Sequence, residues 1–129
     1  MPSYYDPNHA PNPQDWLELD EDLRISQAEK YHKKNRIRMP NIKMHSAFHA
    51  IVENQIAENA EAVVRAMERL SSQGLNRHDC IHAIGWVLAQ HVYELLSPGN
   101  AGPKEGANAR YFAAVERLQA KEWLSLAES

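Results

Sequence analysis

The chain has 129 residues, with 14 Lys and Arg against 17 Asp and Glu and a net charge of −3. This suits one domain burying its own core and excludes a basic nucleic-acid-binding surface. One cysteine, Cys80, rules out an intrachain disulfide and a cysteine-based zinc framework. No apolar run reaches the ~18 residues that span a bilayer, and the opening MPSYYDPNHAPNP lacks the basic start and apolar centre of a secretory signal, so a cytoplasmic protein with no membrane partner is expected.

Residues 1–12 carry Pro2, Pro7 and Pro11 with Asn8 and Asn12, a composition that suits an extended arm lying on the body. Asn12 followed by Pro13 is a helix start, predicting a short helix through QDWLEL, and Asp20 can restart a longer one through EDLRISQAEKYHKKN. Trp16, Leu17, Leu23, Ala28 and Tyr31 would be the packing residues. The basic run of Lys33, Lys34, Arg36 and Arg38 reads as a helix C-terminus whose cations complement the dipole.

Pro40 breaks the chain and Asn41 can cap a helix through IKMHSAFHAIVENQIAE, where Met44, Phe48, Val52 and Ile56 recur at helical spacing. Asn59 can cap the next, AEAVVRAMERLSSQ, with Val63, Val64, Met67 and Leu70 inward and Gly74 as its left-handed stop. Asn76 opens RHDCIHAIGWVLAQHVYELL, whose inward residues are Ile81, Ile84, Leu88, Val92 and Leu95. After a loop rich in Gly and Pro, one last helix is expected through NARYFAAVERLQAKEWLSLA, with Tyr111, Val115, Leu118 and Trp123 docking. No segment alternates with period two. The expected fold is all-α, an up-and-down bundle of about four to six helices with a Pro-rich N-terminal arm. It forms one domain over 1–129, divided into arm 1–12, helical core 13–97, loop 98–106 and C-terminal helix 107–127.

Two His-x-x-x-His pairs, His45/His49 and His78/His82, lie just inside predicted helix starts. The i, i+4 spacing sets two imidazoles ~40° apart on one helix face, within reach of one ion. Seven histidines placed at random would make roughly a third of one such pair over this length, so two point to a site. With the helices opening at Asn41, Asn59 and Asn76 running up, down and up, the first and third are parallel and both pairs fall at the same end. Each pair sits at the edge of its apolar stripe, facing a seam. Glu53, eight residues beyond His45, is a further ligand or a partner that orients an imidazole. The candidate metal ligands are therefore His45, His49, His78, His82 and Glu53. His91 points away from His82, and Cys80 reads as a small buried hydrophobe.

The segment from Met44 to Leu96 resembles a family of small, uncharacterised bacterial proteins, a domain of unknown function. That family is marked by a His-x-x-x-His-x-x-x-Glu-Asn/Glu-Gln helix followed by an Arg-His-x-x-x-His helix. Its motif positions are His45, His49, Glu53, Asn54 and Gln55, then Arg77, His78 and His82. PNPQDWLELDEDLRI and RIRMPNIK are similar to its N-terminal part. The resemblance implies the same paired-histidine site and names no activity.

The helical zinc-protease pattern needs a Glu directly after its first His, and Ser46 stands there instead. A carboxylate-bridged di-iron bundle needs two Glu-x-x-His helices, a pair this chain lacks. The expectation is a histidine-rich centre for a divalent ion between two parallel helices, zinc first and iron or nickel next. The alternative is a metal-free interaction or homodimerisation module in which Trp16, Trp86, Trp123 and the arm make the contacts.

Overall fold

A computed structural model describes residues 5–34, 42–96 and 106–128. Among these it contains no strand and seven helices: α1 (Pro13–Glu18), α2 (Glu21–Lys34), α3 (Ile42–Ala57), α4 (Glu61–Ser72), α5 (Arg77–Leu96), α6 (Ala107–Arg117) and α7 (Ala120–Glu128). The all-helical expectation holds, with one helix more than the upper count. No helix of the described residues is long and apolar enough to cross a membrane. Pro40, Asn41, most of the 98–106 loop and the side chains of His32, Lys33 and Lys34 lie outside the described residues.

Local chemistry explains most of the boundaries. Asn12 Oδ1 accepts from the Asp15 N–H at 3.0 Å and Pro13 occupies the first helical position, so α1 begins where its orphan donors are satisfied. Gly74, at φ +107°, closes α4. The Leu75 N–H donates back to Leu70 O at 3.1 Å and the Gly74 N–H to Ser71 O at 3.0 Å, with Leu75 and Leu70 both buried beneath the turn. Asn76 Oδ1 accepts from the Asp79 N–H at 2.8 Å and starts α5.

Asn59, expected to cap α4, instead ends α3. It takes φ +60°, the Ala60 N–H returns to Gln55 O at 2.9 Å, and Ala60 holds the cap position without a side-chain bond. Asparagine tolerates the left-handed conformation well enough to serve at either end of a helix, and here the carbonyls of α3 take it.

The C-terminal helix, expected to be continuous, is broken at Leu118 and Gln119. Arg69 on α4 donates to Leu118 O at 3.0 Å and to Val115 O at 2.8 Å. Gln73 accepts from the Ala120 N–H at 2.7 Å and donates to Gln119 Oε1 at 2.7 Å. Side chains of α4 thus replace the helical bonds lost at the break.

Val63 and Leu70 of α4, Ile81 and Ile84 of α5 and Val115 of α6 form the fully buried centre of the core. Cys80 is buried among them. On the other side of α5 lies α3, which α1 and α2 also cover. Asn54 of α3 ties these together, accepting from Trp16 Nε1 at 2.9 Å and Arg24 Nη1 at 3.0 Å.

Two expectations about α3 need correction. Its buried side is Ser46, His49, Ala50, Val52 and Glu53, while Met44 is 45% exposed and Phe48 only half-buried. Being covered by several helices, α3 turns polar residues inward that a one-sided amphipathic helix would expose. Its neighbour α5 also runs the opposite way from that expected. His45 meets His82, His49 lies beside His78 and Glu53 pairs with Arg77, so position rises along α3 as it falls along α5. The reason is α4, which packs on α5 and α6 and barely along α3, so α5 comes back against α3 antiparallel.

Candidate metal centre

Both histidine pairs reach the seam between α3 and α5. His45 Nε2 lies 3.0 Å from His82 Nε2, and one ligand atom from each of His45, His49 and His82 falls within 4.8 Å of the others. Two nitrogens bound tetrahedrally to zinc at ~2.0–2.1 Å stand ~3.3 Å apart. The first pair is therefore already at spanning distance, and His49 closes the triangle by moving at most ~1.5 Å. At 3.0 Å one of the two facing nitrogens carries a proton and the other a lone pair. An ion would take both lone pairs and displace that proton to the far side of its ring.

His78 lies outside this group of three. It is buried, its ring centroid 4.0 Å from that of His82 and 5.5 Å from that of His49, with Tyr31 edge-on at 5.2 Å. Its backbone N–H donates to Asn8 Oδ1 at 3.1 Å, which fastens the N-terminal arm to the start of α5. His78 supports the cluster from behind. His91 stays apart, its Nδ1 3.0 Å from Val87 O on its own helix.

Glu53 is likewise not among the three, because its carboxylate is engaged elsewhere. Its side chain is 1% exposed and receives two bonds from Arg77, Nη1 to Oε2 at 2.6 Å and Nη2 to Oε1 at 2.8 Å. Arg77 Nη1 also donates to Pro7 O at 2.8 Å. Burial alone would pull the guanidinium below its usual range; the bonds and charge of Glu53 outweigh that and raise it. Tyr5, from the arm, donates its hydroxyl to Glu53 Oε2 and stands 2.7 Å from His49 Nε2. Burial first, then the Glu53 charge, pushes the phenol far above its ordinary range, so it remains a donor.

With its one proton given to Glu53, the Tyr5 oxygen can only accept from His49, which places the His49 proton on Nε2 and its lone pair on Nδ1. The chain Arg77, Glu53, Tyr5, His49 thus fixes one imidazole through a carboxylate, one residue removed from the direct contact expected. Sequence reasoning missed Tyr5 altogether. It is 44 residues from His49, in a segment without periodicity, and no local spacing marks it.

The three imidazoles border a cavity of about 260 Å³, walled also by Phe48, Ile81, Trp86 and Trp123. Among the described residues the remaining lining is Gly85 and Ala89, equally uncharged. Neutral nitrogen donors beside an apolar space can bind a borderline-soft ion and admit a further ligand to it. No family model, no curated protein and no solved structure matches this chain.

Proposed function

We propose that this protein binds one divalent metal ion through His45, His49 and His82, with zinc the first candidate and iron or nickel next. The observation that carries the reading is the meeting of three imidazoles from two helices, two of them 3.0 Å apart at Nε2. Three neutral ligands leave a tetrahedral ion one position for an outside molecule, the arrangement of catalytic rather than purely structural zinc sites. Glu53 and Tyr5 orient His49, and His78 packs against His82. The interaction-module reading is weakened because Trp16 is 3% exposed, and Trp86 and Trp123 are half-buried against the cavity.

Elemental analysis of protein purified without a histidine tag, then reconstituted separately with zinc, iron(II) and nickel, tests this. One ion per chain is expected, lost in His45→Ala and His82→Ala and kept in His91→Ala. Folded wild-type protein that takes up none of the three, or His82→Ala binding that equals wild type, overturns it.

A further inference from the structure

Gly85 is the residue of the cavity wall that helix energetics do not explain. It sits inside α5, where glycine is disfavoured relative to alanine, and it is buried. The usual reason for such a glycine, close approach of a neighbour, is absent among the described residues: beyond its own helix backbone and its two chain neighbours, a Cβ built there meets nothing within 4 Å. What a side chain at 85 would enter is the cavity itself, one turn beyond Ile81 and His82 and flanked by Trp86 and Ala89. The glycine preserves space rather than packing.

The size and chemistry of that space define an occupant. A cavity of ~150 Å³ accepts benzene, so about 260 Å³ holds one six-membered ring with a small head group. Phe48, Trp86 and Trp123 supply aromatic walls against which such a ring can pack. An ion on three neutral imidazoles keeps its full double charge. Among the described residues no carboxylate lines the cavity, and the nearby Glu53 charge is matched by Arg77. A carboxylate head group, taking the position that water or hydroxide would otherwise hold, would supply the negative charge that these side chains do not.

Resting on the metal-binding reading above, we propose that the cavity binds a small carboxylate with a single ring-sized apolar body. Its carboxylate takes the fourth position of the ion, and its ring lies against Trp86 and Trp123 in the space Gly85 leaves open. The site is selective for the body as well as for the head group. Substitution at 85 is the specificity control.

The test uses the full chain loaded with cobalt(II), whose visible spectrum reports direct ligation, with benzoate and acetate as probes and metal content measured on the same samples. Benzoate is expected to change the spectrum and to bind roughly tenfold or more tightly than acetate. Gly85→Leu should retain one cobalt per chain, respond to acetate as wild type does, and bind benzoate roughly tenfold or more weakly. Gly85→Ala, whose methyl enters open space, should raise the melting temperature by roughly 2–6 °C. Ala89→Leu, on the same wall, gives the same reading should Gly85→Leu fail to fold. One cobalt per chain with no benzoate response, or equal affinities for benzoate and acetate unaffected by either leucine, overturns this proposal and leaves metal binding standing. Folded protein that takes up neither cobalt nor any of zinc, iron(II) and nickel overturns both.

Discussion

Arg77→Met isolates the buried ion pair that supports the histidine cluster. Methionine keeps much of the length and apolar stem of the side chain but removes both bonds to Glu53, at 2.6 and 2.8 Å, and the bond to Pro7 O. The Glu53 side chain is 1% exposed and that of Arg77 17%, so water cannot replace what is lost. Stranding one member of a buried pair costs about 3–5 kcal/mol. With an unfolding entropy near 2.1 cal/mol/K per residue, that lowers the melting temperature by roughly 11–18 °C. Urea unfolding followed by circular dichroism, in chelator so that no ion contributes, measures it. The origin of the loss is separated by Glu53→Gln in the same background. Removing the stranded charge should make the double variant more stable than Arg77→Met alone, by at least ~1 kcal/mol. A loss under 1 kcal/mol for Arg77→Met, or a double variant no better than the single, would refute the view that this pair is buried and mutually dependent.

Ile84→Ala should cost about 2–5 kcal/mol because Ile84 is fully buried, and Phe48→Ala clearly less because Phe48 is half-buried beside a cavity; equal losses in denaturant melts would contradict the assigned faces. Gln73→Ala removes the two Gln73 bonds to the break between α6 and α7 and leaves those of Arg69, so stability should fall by ~1 kcal/mol and the Ala120 amide should exchange faster, an effect whose absence counts against side-chain capping of the break. Burial, with Asp79 adding to it, pushes the Cys80 thiol up to about 11. Native protein should thus resist a disulfide-exchange reagent at pH 8, and the stability carried by the neutral thiol should persist below about 9 and fade as pH rises toward 11. Rapid labelling of folded protein, or no loss relative to Cys80→Ala over that window, would show the thiol to be accessible.

Local sequence determined the helices and many of their ends. Asn12, Gly74 and Asn76 act within one turn of themselves, so their roles are legible without the rest of the molecule. The i, i+4 histidine pairs are equally local, and they reached a common seam. Which histidines meet was decided by tertiary structure, because the direction in which α5 passes α3 depends on where α4 finds its own partners. Antiparallel passage brings His45 to His82 and sets His78 behind the cluster. The same long-range packing gave Glu53 to Arg77, brought Tyr5 to His49 from a segment with no periodic signal, and let Arg69 and Gln73 break a helix whose own residues favour continuity. Caps and periods act through bonds spanning a few residues; the chemistry of this site is set by contacts between residues about 24 to 48 apart, which only the packed chain brings together.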